Sequence, residues 1–228
     1  MLVIGVDGCR GGWLAVALEV GTYALQAQVY MRFAAILDAY PDAQAVAVDM
    51  PIGLWESGRA RMRPCDALAR RRLGKRASSV FIPPTRAMLN AESYAPLRTL
   101  GLSVQAYHLI PRIRELDALL TPDRQTQVWE SHPELSFAAM VGAPMEHSKR
   151  APRGVQARLD ALTRALNLDP CQLESLMQAC RAAGARLDDL LDACALAWSA
   201  LRHTRGQSEQ YIGVPERDAR ELLMTIRF

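Results

Sequence analysis

Leu2-Val3-Ile4-Gly5-Val6-Asp7-Gly8-Cys9-Arg10-Gly11-Gly12-Trp13 is an apolar run that ends on a lone carboxylate and a glycine-rich turn. Leu2 to Val6 is short and rich in β-branched side chains, which predicts a buried strand. Asp7 then closes a core strand, where a charge is costly without a partner. Gly8, Gly11 and Gly12 permit positive φ and leave room beside the carboxylate. A carboxylate at a rigid strand edge with open space next to it suits a hard cation, or a phosphate carried by one. Short Asp side chains also bond turn amides, so this stretch alone leaves both readings open.

The residues that follow extend the pattern. Trp13, Ala15 and Ala17 alternate with Leu14, Val16 and Leu18, and Gly21-Thr22 supplies a turn. Tyr23, Leu25, Ala27 and Val29 then alternate with Ala24, Gln26 and Gln28, giving a three-stranded antiparallel meander. Phe33, Ile36, Leu37 and Tyr40 recur at helical spacing before Pro41. Ala45-Val46-Ala47-Val48 is a second buried run, and it too closes on a carboxylate, Asp49. A strand reached through a helical crossover usually lies parallel to its partner. The order β-β-β-α-β therefore puts Asp7 and Asp49 at one edge of a sheet, where they repel unless a cation or proton lies between them.

From Leu54 to about Asp123 no strand pattern stands out, and this stretch reads as a helical insertion covering one sheet edge. Pro64 fits the first turn of a helix reaching Leu73. A second helix is expected over about Ser103 to Leu120, bent or split at Pro111. Gln127-Val128-Trp129 is a short strand candidate closing on Glu130, followed by Ser131-His132-Pro133-Glu134. Helices are expected over Gly154–Leu166 and Leu168–Ala183, and a long one opens at Leu187. There Asp189 and Asp192, and likewise Asp188 and Asp192, share a face. Leu222 to Arg227 suggests a final strand. The whole chain, 1–228, reads as a single α/β domain with the insertion at about 54–123.

Half of the 228 residues are hydrophobic, enough for a sizeable core. No apolar run approaches the roughly 20 residues that span a bilayer, and no signal peptide is apparent at the N-terminus. A soluble, cytoplasmic protein is expected. The cysteines, at 9, 65, 171, 180 and 194, form no CxxC pair and no zinc-finger spacing. Net charge is only +3, but its distribution is uneven. Arg59, Arg61, Arg63, Arg70, Arg71, Arg72, Lys75 and Arg76 stand against the single acid Asp66, which suggests an anionic partner. Arginine forks phosphate better than lysine. A solvated surface is the plainer account of such a run.

Acids ending the first and fourth strands, with Asp189-Leu190-Leu191-Asp192-Ala193 on a late helix, resemble the ribonuclease H-like superfamily. The late element is similar to the corresponding helix of RuvC-type junction resolvases. The chain as a whole more closely resembles the family called domain of unknown function 429, predicted RNase H-like nucleases. That resemblance is carried by Gly5-Val6-Asp7-Gly8-Cys9-Arg10-Gly11-Gly12-Trp13, Asp49-Met50-Pro51-Ile52-Gly53, Arg76-Ala77-Ser78-Ser79-Val80-Phe81, Glu130-Ser131-His132-Pro133-Glu134 and Asp188-Asp189-Leu190-Leu191-Asp192-Ala193. It implies a ribonuclease H-like mixed sheet flanked by helices, and metal-dependent hydrolysis of nucleic-acid phosphodiesters by a two-metal mechanism. Asp7 would be the central, bridging carboxylate, Asp49 the fourth-strand acid, and Asp192 or Asp189 the helix acid. Glu130 joins the catalytic candidates, although a minimal RNase H site has no counterpart for it. Mg²⁺ or Mn²⁺ suits an all-oxygen site held by Asp7, Asp49 and Asp192. Arg10, Arg70, Arg71, Arg72, Lys75, Arg76 and Ser79 are the candidate contacts to DNA or RNA. No membrane partner is expected, and a homodimer is left open.

Each candidate also has a plainer account. Asp188 and Asp189 suit the first turn of a helix by charge alone, whereas Asp192, a turn further in, does not. Glu130 could brace a loop against an arginine. His132 before a proline suits a structural hydrogen bond. Ser79 lacks a His/Asp pattern, which argues against a serine nucleophile. Trp13 and Trp198 read as core. At the level of function the alternatives are a non-catalytic nucleic-acid-binding or regulatory module and a relative of the actin-like ATPases and phosphotransferases. The latter use two copies of the fold around a nucleotide, and this chain shows one acid-ended meander.

Overall fold

The computed structural model describes residues 1–211 and 216–228. Strands β1 (Leu2–Cys9), β2 (Gly12–Glu19) and β3 (Leu25–Tyr30) form the antiparallel meander, and α1 (Phe33–Ala39) leads into β4 (Ala45–Val48). Helices α2 (Pro64–Leu73), α3 (Tyr94–Thr99) and α4 (Val104–Leu119) precede β5 (Val128–Glu130). Then come α5 (Pro133–Val141), α6 (Pro152–Leu166), α7 (Pro170–Ala182) and α8 (Leu187–Thr204). The five-stranded mixed sheet runs β3-β2-β1-β4-β5, with β4 parallel to both β1 and β5. The meander, the crossover helix and the parallel return all match the alternation read from the sequence.

Period-2 alternation sorts the sheet into two faces. Val3, Cys9, Leu14, Val16, Leu18, Ala45, Ala47 and Trp129 pack against α6, α7 and α8. Ile4, Val6, Trp13, Ala15, Ala17, Val46, Val48 and Val128 pack against α1 and α4. Asp7 shares the strand parity of Val3, Gly5 and Cys9 and therefore faces α8. Glu130 alternates with Trp129, so it belongs to the opposite parity.

The expected end of the first strand is corrected. β1 does not stop at Val6; it pairs on through Asp7 with Leu14, Gly8 with Trp13 and Cys9 with Gly12. The chain reverses over Arg10 and Gly11, where Gly11 takes φ +92° and a side chain would be strained. Asp7 is thus held inside a strand, with both its neighbours fixed in the ladder.

Gly5 sets the depth of α8. A Cβ at Gly5 would lie 2.1 Å from the Ala193 carbonyl oxygen and 2.2 Å from the Ala197 amide nitrogen. Backbone packs on backbone here, with Ala193, Ala197 and Ala200 keeping the helix face small and fully buried. The 18-residue α8 lies between the sheet and helices α6 and α7 and carries Leu190, Leu191, Leu196 and Leu201 into the core. Each fully buried side chain of that size contributes about 1.5–3 kcal/mol.

The region from 54 to 123 is helical, with no strand among the described residues. α4 stays continuous across Pro111, which is exposed, so of the expected bend or split the split does not occur. Rather than capping an edge, α4 lies on the second face through Ala106, Ile110, Ile113 and Leu116. Glu115 fastens it there by accepting from Trp13 Nε1 at 2.9 Å and from the Phe33 amide at 2.6 Å. The expected C-terminal strand is shorter: β6 (Gln210–Tyr211) and β7 (Ile226–Arg227) make a separate two-stranded sheet. All five cysteines are free, and no helix among the described residues is long and apolar enough to cross a membrane.

Candidate functional site

Asp7, Asp49 and Asp192 reach one place from three distant segments. Asp7 comes from β1 and is 8% exposed, its Oδ1 accepting the Gly8 amide at 2.7 Å. Asp49 follows β4, and its own amide donates to the Val6 carbonyl at 3.0 Å, which sets it beside β1. Asp192 sits in the second turn of α8, 3% exposed, brought down to the sheet by the Gly5 contact. Burial holds the Asp7 carboxyl well above the usual carboxylate range, and the charges of Asp49 and Asp192 push it further. Burial likewise raises Asp49, against the pull of His132 and Lys149. Asp192 is raised by burial too, with Lys149 opposing and Asp49 and Glu134 adding to the rise. Two buried acids and a half-buried one that repel one another are costly to maintain unless positive charge is brought to them.

Part of that charge comes from a residue the sequence did not single out. Lys149 Nζ donates to Asp192 Oδ2, and the two form an ion pair. Lys149 lies in the irregular segment between α5 and α6, which shows no periodic pattern. Its position is built by packing. Gly154, in the first turn of α6, has no room for a Cβ, which would meet the Ser148 carbonyl oxygen at 1.9 Å. Arg158, fully buried, donates to the His147 carbonyl at 3.2 Å, to the Gly154 carbonyl at 3.0 Å and to Glu134 Oε1 at 2.6 Å. Glu134 also takes Arg76 at 3.0 Å. Burial would raise the Glu134 carboxyl, but the two arginines outweigh it and hold it below its ordinary value.

The remaining candidates divide between this place and others. Glu130 has the opposite strand parity but lines one pocket with Asp49, Arg63 and His132. Arg63 Nη2 donates to its Oε1 at 2.6 Å, while Arg63 Nη1 at 2.8 Å and the Ile52 amide at 2.7 Å donate to its Oε2. Arg63 also holds Asp66 and the Ile52 and Gly53 carbonyls, so this buried triad locks the turn that follows Asp49. Asp189 accepts the Arg186 amide at 3.1 Å at the start of α8, and Asp188 pairs with Arg186 at 3.1 Å. Both are helix-start acids; Asp192 is the helix acid bonded to Lys149, while the charge of Asp189 also acts on Asp7. His132 Nε2 lies 3.3 Å from the Ser79 carbonyl, and the Ser79 hydroxyl donates to the Arg76 carbonyl at 2.8 Å. Trp13 is core at 1% exposure, whereas Trp198 is half-buried under Arg202.

The basic run is not one surface. Arg63 is buried, Arg70 donates to the Val80 carbonyl at 3.1 Å, and Arg76 is paired with Glu134. Arg71, Arg72 and Lys75 are exposed at the end of α2, and Arg10 is exposed at the β1–β2 turn. Arg76 joins the two regions, since its partner Glu134 acts on both Asp49 and Asp192.

The donor chemistry at Asp7, Asp49 and Asp192 suits a hard divalent cation: three carboxylates short of positive charge. Their present spacing does not enclose one. Among the described residues no three His, Cys, Asp or Glu side chains are grouped closely enough to hold a metal ion. Asp192 is engaged by Lys149 instead.

Compared with known proteins, residues 5–217 match a family model described as a protein of unknown function, DUF429. No curated protein and no solved structure matches the chain.

Proposed function

The chain belongs to the DUF429 family of proteins of unknown function, and from that premise we propose that it hydrolyses nucleic-acid phosphodiesters in a metal-dependent reaction on a ribonuclease H-like core. The observation that carries this reading is the convergence of Asp7, Asp49 and Asp192, from the first strand, the end of the fourth strand and a late helix, with their charges opposed. The sheet order, with its parallel β1–β4 pair after an antiparallel meander, is the order such a core requires.

When bound, Mg²⁺ or Mn²⁺ would supply an activated water and positive charge opposite the leaving oxygen, as in two-metal phosphodiester hydrolysis. The chain supplies the holders and their rigidity. Asp7 is central, fixed in the ladder by its pairing with Leu14 and by the pairing of its neighbours Val6 and Gly8 with β2. Asp49 is fixed by the Arg63–Glu130–Asp66 triad behind it, which makes Glu130 a positioning residue. Asp192 is fixed by the seat of α8 on Gly5. Arg10, Arg71, Arg72 and Lys75 remain exposed to meet backbone phosphates, with Arg76 nearer the acids. Phosphate contacts of this kind position a nucleic acid without reading its sequence.

The test is a cleavage assay over labelled single- and double-stranded DNA, RNA, hybrid and junction substrates. Mg²⁺, Mn²⁺ and EDTA are compared for the parent and for Asp7→Asn. The parent should cut at least one substrate with metal and none with EDTA, and Asp7→Asn should lose about 10²-fold or more. Cleavage that persists in EDTA or in Asp7→Asn, or no cleavage of any substrate, would overturn the reading.

A further inference from the structure

Lys149 is one of only two lysines in the chain, the other being Lys75; the remaining basic side chains are 25 arginines. It is also the one cation bonded to Asp192 among the described residues. The Asp192 side chain is 4% exposed and that of Lys149 34%, so the carboxylate is enclosed while the lysine stem has a path to solvent. The ammonium charge reaches Asp7 and Asp49 as well as its direct partner. The backbone that presents it is held from behind by Gly154 against Ser148 and by Arg158 against His147. A positive side chain is thus bonded to one of the three acids and close enough for its charge to act on the other two.

We infer that Lys149 is a built-in counter-cation, bonded to Asp192 beside the other two carboxylates in competition with a divalent ion and displaced to solvent when the ion binds. The inference rests on the metal-dependent reading above and adds to it a residue that sets how tightly metal is held. An ammonium on Asp192 Oδ2 occupies lone pairs a cation would take and repels it by like charge. A divalent ion brings twice the charge to the same acids, so it can win the exchange. The ammonium offsets part of the negative charge of a cluster whose acids are, among the described residues, not grouped closely enough to hold a metal ion.

Two measurements on the full chain decide the matter, with Mn²⁺ as the probe. The first is calorimetric titration of Mn²⁺ into the parent, Lys149→Met and Lys149→Arg. Lys149→Met should bind Mn²⁺ at least about tenfold more tightly than the parent. Lys149→Arg, which keeps the charge, should bind like the parent. The second is amine acylation of the parent read by mass spectrometry, with exposed Lys75 as the internal reference. Mn²⁺ should raise the ratio of Lys149 to Lys75 labelling several-fold, because the displaced ammonium leaves Asp192. If Lys149→Met does not fold, the labelling ratio of the parent decides alone. Mn²⁺ binding with an unchanged labelling ratio, or equal affinity in parent and Lys149→Met, would overturn the inference and leave the metal-dependent reading standing. Absence of Mn²⁺ binding in parent and both variants would overturn the two together.

Discussion

Replacing Gly5 with Ala should separate α8 from the sheet and loosen the acidic cluster with it. The added Cβ would lie 2.1 Å from the Ala193 carbonyl oxygen, whereas ordinary contact begins near 3.4 Å. Both opposing atoms are backbone, so no side-chain rotation relieves the clash, and helix and strand must part by roughly 1.3 Å. A gap of about 0.5–1 Å already forfeits a quarter to a half of the dispersion energy across it. Overpacking a core costs typically ~1–3 kcal/mol, and a backbone clash belongs at or above the top of that range. Lower unfolded-chain entropy returns only about 0.4–1 kcal/mol. A net loss of at least ~2 kcal/mol should lower Tm by roughly 4–8 °C in a chain of this size. Denaturant and thermal melts of Gly5→Ala should show this, with Gly21→Ala as control, since a Cβ there meets nothing within 4 Å. If Gly5→Ala were as stable as Gly21→Ala, the close seating of α8 on β1, and with it the placement of Asp192, would be wrong.

Three further outcomes follow from the charges. The folded-state pKa of Asp7 is raised, so its contribution to the parent's stability in EDTA should fall as pH rises above the ordinary value of 3.8. Asp7→Asn copies the protonated form, so it should be the more stable protein near pH 8 in EDTA and lose that advantage near pH 4; a variant destabilised throughout would refute the mutual repulsion. Glu134 has the opposite sign: its pKa is lowered, so its contribution is present above 4.5 and fades as pH falls through the lower folded value. Glu134→Gln strands the buried Arg158 and should cost about 3–5 kcal/mol at neutral pH, the difference from the parent shrinking in acid; a constant difference would count against the ion pairs. Finally, Arg71→Ala with Arg72→Ala should flatten the salt dependence of nucleic-acid binding by a slope of up to about 2 without changing Tm, while an unchanged slope would assign both to plain solvation.

Much of the frame could be read in advance because strand alternation is a local signal. Leu14, Val16 and Leu18 against Trp13, Ala15 and Ala17 announce two covered faces, and both sets are buried in the structure. Asp7 and Asp49 were visible as charges ending apolar runs. Asp192 stood out from Asp188 and Asp189 because a helix dipole explains acids in a first turn but not one further in. Strand parity could also have set Glu130 apart, since it alternates with Trp129 on the short β5. What stayed hidden depends on long-range packing. Lys149 lies in a segment without periodicity, and only Gly154 and Arg158, folded behind it, give it a direction. Arg63 and Arg158 look like surface charges in the sequence, yet both are buried with carboxylates that lie far away in the chain. α5 was missed because its nine residues are largely buried and lack an amphipathic stripe.

Asp7, Asp49 and Asp192 are proposed to hold a divalent cation together. Anomalous diffraction from crystals grown with Mn²⁺ tests it most directly. Anomalous density is expected between these three carboxylates, with Lys149 withdrawn from Asp192. Crystals of Mn²⁺-saturated protein with no density there, and Lys149 still bonded to Asp192, would contradict it.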